Sequence, residues 1–143
     1  MKSTFFVPIG SNPEKQLIAP MQTGEDPMAV SDWQAFISQT DQRMGKLRGG
    51  IPGVTKGFHD VARAAIQEGA LDSKTKELIA LAIGITARCD GCLAYHSKAA
   101  AKYGASREEV METIGVAVYM GGGPSMIYGA EALAAFDAFS AED

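Results

Sequence analysis

Apolar residues in this chain recur mostly three and four positions apart. Phe58, Val61, Ala62, Ala65 and Ile66 follow that spacing, which puts them on one helical face. Leu78, Leu81, Ala82 and Ile85 form a second stripe, and Val110, Ile114, Ala117 and Val118 a third. Start and stop signals bracket the stripes. Ser31 with Gln34 reads as a capping box that opens a helix through about Met44. Residues 45–53, with Gly49, Gly50 and Pro52, read as a loop. Gly69 stops the helix carrying Phe58, and Asp72 or Ser73 caps the next. A further helix is expected from about residue 89 to 103, ending at Gly104. Ser106 with Glu109 gives a second capping box, and Pro124 suits the first turn of a last helix reaching Phe139. Period-two alternation is absent over any useful length. The expectation is an all-α fold of about six helices.

Residues 1–30 break this pattern. Pro8, Pro13, Pro20 and Pro27 fall there, and each removes a backbone donor and disfavours helix before it. We read an extended N-terminal arm over residues 1–30 and a helical domain over 31–143. Phe5, Phe6, Val7, Leu17 and Ile18 imply that the arm docks on the domain or on a neighbouring subunit. Dense alanine from Ala62 onward adds to the helical tendency.

Composition narrows the function classes. Thirteen Lys and Arg against seventeen Asp and Glu give a net charge of −4, and no basic stripe occurs, which excludes the electrostatic footprint of a nucleic-acid binder. With 46% hydrophobic and 21% charged residues, global disorder is excluded as well. Residues 113–130 carry no charge, yet Gly121, Gly122, Gly123 and Pro124 in their middle read as a turn between two buried helices rather than a membrane span. Lys2 is followed only by Phe5, Phe6 and Val7 before Pro8, so no secretory leader is expected. These signs point to a cytoplasmic protein with no membrane and no nucleic-acid partner.

The chemistry is concentrated in Glu77, Cys89, Cys92 and His96, the pattern E-x11-C-x2-C-x3-H. On a helix beginning at Cys89, Cys89, Cys92 and His96 fall on one face. Cys92 and His96 are i,i+4 neighbours, close enough for imidazole to take a thiol proton. The first helical turn favours thiolate through its unpaired N–H groups and the helix dipole, and Arg88 adds a positive charge beside Cys89. Along one straight helix Glu77 would lie ~18 Å from Cys89, at ~1.5 Å per residue. If the chain reverses at residues 87–89, the two helices pack antiparallel. Glu77 then lies ~16 Å from the bend, His96 ~12 Å and Cys92 ~6 Å. Glutamate, histidine and cysteine succeed one another by about a turn, so that Glu77 polarises His96, directly or through water, and His96 deprotonates Cys92.

These four residues resemble the alkylhydroperoxidase D (AhpD)-like branch of the carboxymuconolactone decarboxylase family, over roughly residues 72–139. The resemblance implies an all-helical fold and a homo-oligomer, a trimer or hexamer. It also implies a redox disulfide that reduces hydroperoxides or serves a peroxiredoxin or other thiol-reductant partner. By motif position Cys92 is similar to the cysteine that becomes a sulfenic acid or mixed disulfide. Cys89 is similar to its resolving partner and proton donor, and Glu77 and His96 to the relay. Gly91 departs from a branch that carries a second histidine there. Family members that decarboxylate lactones generally lack the cysteine pair.

The reading from these residues is a thiol-dependent peroxidase or disulfide oxidoreductase that needs no bound metal, haem or flavin. Two alternatives stand beside it. One is a lyase on a small lactone with His96 or Glu77 as base. The other is a non-enzymatic redox module, or a zinc-binding one in which Cys89, Cys92, His96 and Glu77 are ligands. Elsewhere, His59 is expected on an exposed helix face beside a carboxylate and Glu131 on an exposed face. Tyr119, Met120, Met126 and Tyr128 could line a substrate pocket or a subunit contact, but core packing is the commoner role of such residues and is expected here.

Overall fold

The computed structural model describes Val30 and residues 32–141. The expected arm over residues 1–30 and the proposed capping role of Ser31 lie outside the described residues, apart from Val30. Six helices make up the described chain: α1 (Trp33–Gly50), α2 (Pro52–Ile66), α3 (Ser73–Ala87), α4 (Asp90–Lys102), α5 (Arg107–Gly121) and α6 (Gly123–Ser140). No strand occurs among them, and the all-α expectation holds.

Helices α3 and α6 pack on each other and each packs on both α4 and α5 around a common core, and α1 lies across α4 and α6. Leu81 and Ile85 of α3, Leu93 of α4 and Val110 of α5 are fully enclosed, with Ala94, Ala100, Ala132 and Ala135 between them. Alanine at so many crossing points lets the helices approach closely while keeping helical propensity high. Trp33 and Ile37 of α1 and Phe136 and Phe139 of α6 complete the core.

Local signals set most boundaries. Asp72 caps α3 by accepting from the Thr75 N–H at 2.7 Å. Ser106 caps α5, and the reciprocal bond from the Ser106 N–H to Glu109 is 2.8 Å. The other Glu109 oxygen accepts from Lys74 of α3 at 2.6 Å; that ammonium and the Ser106 amide hold the carboxyl below its usual range. Between α5 and α6 the chain turns at Gly122, whose φ of +71° is open chiefly to glycine.

Two expectations are corrected. The N-cap of α1 is Asp32, which accepts from the Ala35 N–H at 2.8 Å. Residues 45–53 are not a loop: α1 runs on through Gly49 and Gly50, breaks at Ile51 alone, and α2 starts at Pro52. Each glycine costs a helix only ~1 kcal/mol, and Lys46, Leu47 and Arg48 favour helix. Pro52 sits at the first helical position, where its missing N–H is not needed.

The α2 stripe does form a helix, but it faces away from the core. No residue of α2 is buried, and Val54, Phe58 and Val61 are 68%, 73% and 66% exposed. Likewise Tyr119, Met120 and Met126, expected in the core, are exposed, and only Tyr128 of that group packs against it. Residues 113–130 therefore form two helices around a turn as expected, but with one apolar side uncovered. No described helix is long and apolar enough to cross a membrane.

Candidate functional site

The α3–α4 corner builds the site. The chain reverses at Arg88, whose φ of 56° and ψ of 51° are left-handed, an uncommon setting for a residue with a Cβ. The Cys89 N–H reaches back to the Gly84 carbonyl at 3.1 Å, closing the end of α3. The same residue opens α4. Cys89 is the N-cap, its Sγ accepting from the Cys92 N–H at 3.2 Å, so the sulfur takes the place a serine or aspartate oxygen usually fills.

Cys89 and Cys92 are joined as a disulfide, with Cα atoms 5.2 Å apart. Both are half-buried, so the pair lies at the surface end of the corner and not inside the core.

One turn further along α4, the His96 Nδ1 lies 2.7 Å from Glu77 Oε2 of α3. The expected antiparallel pairing holds, and the contact is direct. Glu77 is buried and the His96 side chain is 31% exposed. An ionised carboxylate only accepts hydrogen bonds, so Nδ1 is the donor towards Glu77, and Nε2 is the ring nitrogen left for other partners. The contact with Glu77 sets the orientation of the ring. The structure brings all four candidates to one corner: the sulfurs at the N-terminus of α4, the imidazole a turn below, and the carboxylate behind it.

Among the described residues no three His, Cys, Asp or Glu side chains converge as a metal-binding group. His59 lies exposed on α2, where its Nδ1 accepts from Arg63 at 3.4 Å; Arg63 also donates to Asp60 at 2.8 Å. Glu131, expected on an exposed face, is half-buried on α6.

The model of the carboxymuconolactone decarboxylase family matches residues 52–135, from the start of α2 to the last turns of α6. The chain belongs to that family. Among carboxymuconolactone decarboxylase family structures, the Legionella pneumophila protein is 47% identical, with a TM-score of 0.73 over 76% of this chain and 96% of that one. A Thermotoga maritima member, described as "possibly involved in antioxidative response", is 29% identical, with a TM-score of 0.61 over 69% of this chain and 87% of that one. An uncharacterized protein of Cupriavidus necator is 35% identical over 112 residues, which is 78% of this chain and 99% of that protein.

Within this family corner, sequence reasoning missed one contact. Tyr95, next to His96, donates to Asp41 of α1 at 2.6 Å and ties the site helix to α1. The partners are 54 residues apart, so no local pattern announces the pair. Burial, and then the Asp41 carboxylate, push the Tyr95 phenol up to about 12. A phenol whose folded value exceeds the ordinary ~10 contributes its full stability below pH ~10 and loses it as the pH rises towards 12. Subtracting the ultraviolet phenol titration of Tyr95→Phe from that of the wild type should leave one transition near pH 12. In Asp41→Asn that transition should move down.

Proposed function

We propose that the protein is a thiol-dependent peroxidase and disulfide oxidoreductase. It passes electrons from a dithiol reductant to a hydroperoxide, or to the disulfide of a protein partner such as a peroxiredoxin. The observation that carries this reading is the Glu77–His96 bond of 2.7 Å one helical turn below the Cys89–Cys92 pair. The antioxidative link suggested for the Thermotoga maritima relative points the same way.

Starting from the dithiol, His96 Nε2 takes the Cys92 proton, and the Cys92 thiolate attacks the outer peroxide oxygen. An S–O bond forms, the O–O bond breaks, and the departing alkoxide takes the proton back from imidazolium to leave as alcohol. Cys89 then attacks the Cys92 sulfenic acid. The S–S bond forms, and hydroxide leaves with the Cys89 proton as water. In the reductive half a reductant thiolate attacks Cys92 and expels Cys89. The Cys92 amide that donates to Cys89 Sγ stabilises the leaving sulfur's charge. The reductant's second thiol frees Cys92, so two electrons and two protons enter per peroxide reduced. Reduced protein mixed with one equivalent of tert-butyl hydroperoxide should yield the Cys89–Cys92 disulfide and one equivalent of tert-butanol. Hydroperoxide consumption no faster than by dithiothreitol alone overturns the reading.

We further propose that copies of this chain associate through α2, as a trimer or hexamer. A 15-residue helix is marginal in water without packing, and its Val54, Phe58 and Val61 face is exposed among the described residues. The same chain offers an apolar groove between α3 and α5, lined by Ala82, Ile83, Thr86, Val116, Ala117 and Met120. A ridge and a groove on one chain can make a head-to-tail contact, which gives a ring when the rotation from copy to copy closes. Phe58→Glu should reduce the light-scattering mass to the 15.1 kDa of one chain. A wild-type protein that is already monomeric rules the association out.

A further inference from the structure

Gly84 lies buried in the last turn of α3, where glycine costs a helix ~1 kcal/mol relative to alanine. It meets both members of the cysteine pair. Its carbonyl accepts the Cys89 N–H at 3.1 Å. A Cβ added to it would lie 2.8 Å from the Cys92 Cβ, closer than side-chain carbons approach one another. The atom in the way is next to the α4 backbone rather than at the end of a flexible chain, so it cannot swing aside.

We propose that Gly84 is a positioning residue for the redox pair, and that its missing side chain sets the balance between disulfide and dithiol. The inference rests on the redox reading of Cys89 and Cys92. Cys89 is tied to α3 through the Gly84 carbonyl, whereas Cys92 can sit this close to α3 because residue 84 has no Cβ. An alanine there pushes Cys92 away from α3 by several tenths of an ångström while Cys89 stays. Two separate thiols absorb that displacement by rotating about their own bonds. A disulfide has a specific geometry and absorbs it only as strain. The disulfide is therefore the state that Gly84 stabilises, and the pair becomes more oxidising without it.

The test equilibrates the full chain in mixtures of reduced and oxidised dithiothreitol and counts alkylated cysteines by mass. Dithiothreitol gives up two electrons and two protons and closes to its cyclic disulfide as Cys89–Cys92 opens to two thiols. Gly84→Ala should shift the equilibrium constant about tenfold towards the dithiol, which is ~30 mV for a two-electron couple. Gly115→Ala, a helical glycine with open space around it, should leave the constant within twofold of wild type. A folded Gly84→Ala protein whose constant also stays within twofold overturns the proposal. If Gly84→Ala does not fold, Cys92→Gly is added to remove the opposing carbon. Recovery of folding supports the contact, and failure to recover overturns it. This equilibrium needs no peroxide, so its outcome is separate from that of the peroxidase reading.

Discussion

Cys92→Ser should reduce hydroperoxide consumption to that of free dithiothreitol, whereas Cys89→Ser should still complete the first chemical step. The difference follows from position. Cys92 shares a helix face with His96, four residues on, and His96 is held with Nε2 available by the buried carboxylate of Glu77. Serine at position 92 keeps the shape but has a hydroxyl too weakly acidic for this base and forms no sulfenic acid. With serine at position 89, Cys92 still attacks peroxide, and its sulfenic acid then has no neighbouring thiol to condense with. One equivalent of hydroperoxide should therefore give alcohol at the wild-type rate in Cys89→Ser, with a dimedone adduct on Cys92 by mass spectrometry. In Cys92→Ser neither the burst of alcohol nor the adduct should form. A burst that persists in Cys92→Ser and vanishes in Cys89→Ser reverses the roles of the two cysteines.

The site was legible because its parts are close in sequence and obey helix arithmetic. Cys89, Cys92 and His96 occupy one helical segment, and a single reversal brings Glu77 beside His96. Antiparallel helices matched in level about one bend leave few other places for a carboxylate twelve residues upstream. Tyr95 and Asp41 show the limit of that reasoning. Their bond depends on how α1 crosses α4, which no local spacing encodes. Gly84 had a faint signal, an isolated glycine within a strong apolar stripe, but the carbon it makes room for belongs to the next helix.

For the fold, caps and stripes marked elements well and their surroundings poorly. Asp72, Ser106 and Glu109 mark helix starts because the capping bonds are local. Residues 45–53 misled because glycine and proline were read as breakers, although each can be placed in a helix where its cost is small. The Phe58 stripe gave α2 its helical period without saying what it packs against. Periodicity reports that a face is apolar, and a face turned to another copy has the same pattern as one turned to its own core. Tyr119, Met120 and Met126 read as core because large apolar side chains usually are, and they are exposed.

Glu77→Gln should lower the peroxide-dependent rate about 100-fold near pH 7, the lower end of what a positioned proton acceptor contributes. The amide keeps the volume of the carboxyl, and its oxygen can still accept from His96 Nδ1, so the ring orientation survives. What is lost is the negative charge that stabilises the imidazolium as the thiol proton arrives. The deficit should therefore shrink as the pH rises past the ordinary thiol range near ~8.5, where Cys92 ionises without a base. Iodoacetamide alkylation of Cys92 in a Cys89→Ser background isolates that ionisation from all later steps. Its rate should be slower in the Glu77→Gln double variant at pH 7 and should converge with the parent at pH 10. Glu77→Ala separates charge from placement, because it also leaves Nδ1 without its partner and a void beside α4. Its rate at pH 10 should stay below that of Glu77→Gln if holding the ring matters apart from charge. Equal alkylation by wild-type and glutamine side chains at pH 7 would remove Glu77 from the proton relay and leave it a structural partner of His96.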